Sequence, residues 1–192
     1  MPRKRTISNE ALLDAALLLV RANGPDSLTF AALAGSSGLA AATIVQRFGT
    51  KAALLRAAMS SAWDKLDADT AAGDEAAPMG ATGVVDLLVA LSGQYDPEDY
   101  ADQLLLLRED LRDPTLRARG EAWMRTLIVA IERRLVRRPR DQDRVTGLGR
   151  LVIAQWQGTL TVWSFLRDAP LNDAVQTSLE DVFRRLRINL EP

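Results

Sequence analysis

Cysteine and histidine are both absent from the 192 residues. Disulfides, thiolate nucleophiles, imidazole acid–base chemistry and the usual zinc sites are therefore excluded outright. No nucleophile turn of the G-x-S-x-G type occurs either, so no enzyme is expected. Long hydrophobic runs are missing too, since nothing approaches the uninterrupted 18–20 apolar residues, roughly, that span a bilayer. The basic start "MPRKR" leads into an apolar run broken by Asp14 and closed by Arg21, with no small-residue cleavage site after it. No signal peptide and no membrane contact are expected, and a cytoplasmic location is. The fragment "GLGRLV" around Gly147 follows no strand, so it is no dinucleotide fingerprint. The acids Asp96, Glu98, Asp99 and Asp102 read as the start of a helix rather than a metal site. Neither cofactor nor metal is expected.

Hydrophobic residues supply 47% of the chain, ordinary for a folded protein. The formal net charge of −1 conceals an asymmetry. Residues 1–60 hold seven basic side chains (Arg3, Lys4, Arg5, Arg21, Arg47, Lys51, Arg56) against three acidic ones, a net +4, while the other 132 residues carry −5. A basic head on an acidic body suits a partner that is a polyanion and meets only the head. Chance clustering on a surface gives the same count.

Apolar residues recur at helical spacing almost throughout, and no run alternates as a half-buried strand would. The fold class is all-α. The first helix begins after Ser8 and carries Leu12, Ala16, Leu19 and Val20 on one stripe, stopping at Gly24-Pro25. Thr29 opens a short second helix, and Gly35 to Gly38 form a turn. The third helix covers 39–48, and Thr50 caps a fourth running to about Asp67. The acidic, Gly- and Pro-broken segment 67–83 predicts a loop. Beyond it, helices are expected over 84–92, 98–111, 114–136, 142–166 and 171–190.

The stretch "SSGLAAATIVQRFGTK", Ser36–Lys51, is unusual in placing methyl groups where a surface helix normally carries charge. With Ile44, Phe48 and Leu39 on the inner face, Ala42, Thr43, Val45 and Gln46 point outward. Short side chains allow a backbone to approach the floor of a DNA major groove. Ala41 and Ala42 can meet a thymine methyl, Thr43 a base edge or phosphate, and Gln46 an adenine edge. Arg47 and Lys51 are placed to grip phosphates. A helical corner with an alanine-rich exposed face is the alternative.

From Ser8 to about Arg56 the sequence resembles, without a gap, the DNA-binding head of TetR-type transcriptional regulators. The resemblance rests on Ala15-Ala16, Gly24, Thr29, Leu33-Ala34, Gly38, Thr43-Ile44, Phe48 and Lys51 taken together. It implies a three-helix helix-turn-helix domain over 1–52 and a helical effector-binding and dimerisation domain over 53–192. DNA contacts are then expected from Thr29, Ala41, Ala42, Thr43, Val45, Gln46, Arg47 and Lys51. The sequence departs from the family in two ways. Val45 stands where a tyrosine usually offers its hydroxyl to a phosphate, and Ala40 stands where many members have a Ser or Thr cap. Arg47, where histidine is frequent, is read as restoring the phosphate contact.

The resemblance further implies a homodimer through the last two helices. Val175, Leu179, Val182, Phe183 and Leu186 form a stripe expected at that seam, and Leu151–Leu166 is apolar nearly all round, with Gly158 allowing two backbones to approach. A monomer burying both stripes is the alternative. Trp123, Leu127, Gln155, Trp156, Thr159 and Trp163 fall on helices that line the ligand cavity in the family, which points to a hydrophobic small-molecule effector. The same aromatics also fit plain core. The implied function is a repressor that binds a palindromic double-stranded operator as a homodimer and is released by an effector. A DNA-binding regulator without an effector, controlled by a protein partner, is the second possibility, and a helical enzyme is a remote third. The arginine run 133–140 reads as a solvated helix end.

Overall fold

The computed structural model describes residues 7–93, 97–136, 138–139 and 142–188, with 97–99 and 101 described in backbone only. The expectations for Arg3, Lys4, Arg5 and Asp96, and for the side chains of Glu98 and Asp99, lie outside this set. Among the described residues every regular element is helical: α1 (Asn9–Asn23), a 3-10 turn (Pro25–Ser27), α2 (Phe30–Ser37), α3 (Ala41–Phe48), α4 (Lys51–Ala76), α5 (Ala81–Ser92), α6 (Pro97–Arg112), α7 (Pro114–Leu135), α8 (Gln142–Val145), α9 (Leu148–Leu166) and α10 (Leu171–Arg185). Within the described residues no helix is long and apolar enough to cross a membrane.

Local chemistry explains three of the first four helix starts. The Ser8 hydroxyl oxygen accepts from the Ala11 N–H at 3.1 Å, Thr29 Oγ1 from Ala32 at 3.0 Å and Thr50 Oγ1 from Ala53 at 3.1 Å, each closing an orphan donor of a first turn. α3 lacks this device, because Ala40 at its N-cap has no side-chain oxygen; the missing cap costs about 1 kcal/mol. Gly38 ends α2 in the left-handed region at φ 71°, a conformation that a side chain would strain.

The described residues of Met1–Leu66 and Ala101–Gly120 form one compact unit, and those of Asp67–Tyr100 and Glu121–Pro192 form a second. In the first, Leu12, Ala16, Val20, Leu28, Leu33, Ile44, Leu54 and Ala58 are all fully buried in one core, with Leu106 of α6 and Leu116 of α7 closing it. Polar contacts also join α4 to the far segment. Arg56 Nε donates to Asp113 at 2.8 Å, Arg119 to Asp64 at 2.6 Å and Trp63 Nε1 to Asp110 at 2.9 Å. Burial pushes the Asp110 carboxyl above its ordinary value, against the opposing pull of the Trp63 N–H. The Arg56 hydrogen bond holds Asp113 below its ordinary value.

In the second unit, α10 lies against α5 and α9. Two expectations are corrected here. The segment 67–83 is no loop over its first part, since α4 continues to Ala76. Alanine is the strongest helix former and the stretch is rich in it, while tertiary contacts hold what glycine would loosen. Trp123 Nε1 donates to the buried Thr70 hydroxyl at 2.8 Å, and a Cβ at Gly73 would come within 2.9 Å of Leu87 Cδ1, so the glycine permits α5 to approach. The helix expected over 142–166 is instead two, α8 and α9. The chain turns between them at Thr146-Gly147, where Glu132 Oε1 accepts the Gly147 and Gly149 N–H groups at 2.8 and 3.2 Å.

The end of α4 is fixed by a buried cation. Arg134, only 2% exposed, donates to the Asp74 carboxylate and backbone carbonyl and to Ala130 O at 3.2 Å. Its own carbonyl accepts the Gly80 N–H at 3.0 Å. Neighbouring Arg133 reaches the same carboxylate at 2.8 Å from an exposed position. Arg134→Leu should therefore cost about 3–5 kcal/mol in urea unfolding, and Arg133→Leu under about 1 kcal/mol. Equal losses would mean that the buried guanidinium does not fix this corner.

Candidate nucleic-acid interface

Ile44 is the only residue of α3 that is fully buried, and half-buried Phe48 packs beside it against the α1–α2–α4 core. This fixes the opposite face outward. Ala42, Val45, Gln46 and Arg47 are exposed, and Ala41 and Thr43 half-exposed. Val45 is 41% exposed and offers an apolar surface to whatever meets this face. The exposed Gln46 amide has no hydrogen-bond partner among the described residues, so both its donor and its acceptor are unengaged. Thr29, exposed at the start of α2, uses its oxygen as a cap acceptor and retains its proton to donate.

The two cations assigned to phosphates are engaged in the free protein. Arg47 Nη1 donates to Ile7 O at 2.9 Å and to Asn9 Oδ1 at 3.1 Å, tying the end of α3 to the start of α1. Its other N–H groups remain available. Lys51 Nζ donates to the Asp26 backbone carbonyl at 3.1 Å and lies 3.8 Å from the Asp26 carboxylate. Both side chains thus border α3 in defined positions, at the joins with α1 and with the 3-10 turn.

Residues 12–58 match the family model described as bacterial regulatory proteins, tetR family. The chain carries a TetR-family DNA-binding domain. The whole fold agrees. A TetR transcriptional regulator from Legionella pneumophila superposes with a TM-score of 0.71 at 16% identity, covering 94% of this chain and 99% of the other. A transcriptional regulator from Rhodococcus sp. Rha1 gives 0.73 at 15% identity, covering 97% and 100%. A regulator from Saccharomonospora viridis, solved in complex with choline, gives 0.69 at 20% identity, covering 90% and 93%. No curated protein matches by sequence.

In the second unit, the residues read as candidate TetR-type ligand contacts are packed and polar-satisfied. Trp123 and Trp156 are 4% and 2% exposed and lie 6.4 Å apart between ring centroids. The Trp156 N–H donates to Ser92 Oγ at 2.7 Å and that of Trp163 to Ala169 O at 2.8 Å; Leu127 is fully buried. Gln155 and Thr159 share the Ser178 hydroxyl of α10, at 2.8 and 2.7 Å.

The stripe assigned to a dimer seam divides. Val175, Leu179 and Phe183 are fully buried within their own chain, on the side of α10 that meets α5 and α9. An amphipathic stripe records only that a face is covered, and here the same chain covers it. Val182 is half-buried and Leu186 is 45% exposed. The uncovered apolar face belongs to α9, where Leu151, Val162 and Phe165 are 59%, 56% and 84% exposed and the space beside Gly158 is open. The sequence reading also missed Arg108 and Arg112, which line a cleft shared with Lys51 more than fifty positions earlier in the chain. No local signal in the sequence points to that meeting.

On a duplex selected from a randomised pool, Gln46→Ala should lose about 1–3 kcal/mol on the selected sequence and little on random DNA, whereas Lys51→Ala should weaken both alike. Matching losses for the two variants on both duplexes would reverse these assignments. For the tether, a double-mutant cycle of Arg47→Ala and Asn9→Ala in urea unfolding should give a coupling of about 0.5–1.5 kcal/mol. Additive effects would show that the bond contributes nothing to the head.

Proposed function

We propose that this chain is a repressor of the TetR type, binding a near-palindromic operator as a homodimer and leaving it when a hydrophobic small molecule enters the helical body. The observation that carries the DNA-binding part is the α3 surface. One helix is locked by Ile44, its outward face is short and sparsely charged, and Arg47 and Lys51 stand at its edges. Close approach to a major groove with cations at the rim suits a phosphate-flanked base surface.

Homodimerisation is supported by the exposed apolar face of α9. Leu151, Gly158, Val162 and Phe165 recur along one side of the helix, and the three large apolar side chains among them are all more than half exposed, a concentration suited to a covering partner. Two heads joined in this way gain avidity that neither has alone. Release would follow from linkage, with a ligand preferring the body conformation whose heads are misplaced drawing population from the DNA-competent one. Trp123, Leu127 and Trp156 would offer that ligand apolar walls, and Gln155 and Thr159 polar handles. The choline held by the Saccharomonospora relative supports a small-molecule site in this fold. A second reading, a regulator without an effector, is favoured by one observation: the indole N–H groups of Trp123, Trp156 and Trp163 all have partners within the chain.

The double variant Val162→Asp and Phe165→Asp should sediment as a folded monomer and lose operator affinity by about a hundredfold or more, although no residue near α3 has changed. A folded monomer that keeps wild-type affinity would remove the dimer from the account. A variant that stays dimeric would move the interface elsewhere.

A further inference from the structure

We infer that Arg108 and Arg112 of α6 form, together with Lys51, a second phosphate-gripping ledge, so that the head holds the DNA backbone with a surface that the helix-turn-helix alone does not contain. The inference rests on the DNA-binding reading above.

A solvent-open cleft of about 560 Å³ lies within the first compact unit, between the 3-10 turn, the start of α4 and the last turns of α6. Three cations line it, Lys51, Arg108 and Arg112, against two carboxylates, Asp26 and Glu109. The carboxylates do not neutralise all three. Asp26 lies nearest Lys51 at 3.8 Å, and Glu109 makes a long 3.5 Å contact with Arg108. Arg112 forms no ion pair or hydrogen bond among the described residues, and it is exposed. Spaced four residues apart on one helix, the two guanidinium groups share a face.

Lys51 links the cleft to the α3 surface, because the phosphate it would take sits at the cleft's edge. A guanidinium presents a planar fork of donors that matches phosphate oxygens, whereas a lone ammonium acts as a point charge. The neighbouring phosphates of the same strand are then the natural partners for Arg108 and Arg112. A polymer backbone also fits the open form of the cleft better than a small anion, which needs enclosure to gain affinity.

The test uses the full chain, a duplex selected from a randomised pool by the wild-type protein, and the double variant Arg108→Gln and Arg112→Gln. Both side chains are exposed, so the thermal midpoint should hold; if it falls, the single Arg112→Gln variant takes its place. The slope of log affinity against log salt should lessen by about 0.9 for each phosphate that is no longer gripped, reducing the drop between about 50 and 200 mM salt by roughly three- to fourfold per phosphate. Phosphate-ethylation interference should vanish at positions flanking the phosphate held by Lys51, with base preference unchanged. Arg125→Gln, which removes a cation paired with Glu121 in the second unit, should leave slope and interference as they are.

If the wild type shows a steep salt slope and the double variant keeps the same slope and interference pattern, the ledge is overturned while DNA binding stands. Failure of the wild type to select any duplex would overturn both. A thermal midpoint raised by inorganic phosphate in the wild type alone, with the salt slope of DNA binding unaltered by the substitutions, would overturn the ledge and make the cleft a small-anion site.

Discussion

The burial of Ile44 is the constraint on which the rest of the head depends. It is the one α3 side chain wholly inside the core, and Leu12, Leu33 and Leu54, from α1, α2 and α4, share that core with it. A helix of eight residues has too few hydrogen bonds to be stable by itself, and this one starts without a side-chain cap. Its orientation is therefore imposed from behind. Because the anchor is a single residue flanked by half-buried Phe48, core packing places little demand on the outward positions, and alanine, valine and glutamine can stand there.

How legible this was follows from the range of each signal. Caps, turns and stripes in the first fifty residues are local, and Ser8, Thr29, Gly38 and Thr50 sit where their chemistry places them. Ile44 could be identified as the inward residue from spacing alone. Beyond that, the signals become non-local. Segment 67–83 looks like a loop by composition, yet Arg134, some sixty residues on, secures Asp74 and so the end of α4. Glycine at 73 marks close helix packing rather than a break.

The last two helices show a different limit. A stripe such as Leu171, Val175, Leu179 and Phe183 states that one face is dry, but not which chain dries it. In the structure α5 and α9 do so, and the exposed apolar surface moves to α9, whose sequence is apolar nearly all round and thus gives no direction. The meeting of Arg108 and Arg112 with Lys51 was likewise beyond reading, since it depends on residues 101–120 joining the first compact unit.

The four tryptophans divide between the two units in a way that makes the protein its own spectroscopic reporter. Trp63 alone belongs to the first, half-buried, with its N–H on a carboxylate whose proton affinity is raised by burial. The other three belong to the second, almost wholly buried, and two of them are near enough to exchange excitation. Trp63 is placed to respond to charge in the unit that carries α3, and the other indoles to water entering the second unit. Events in the two halves of the chain thus bear on different indoles, which single-tryptophan variants would separate.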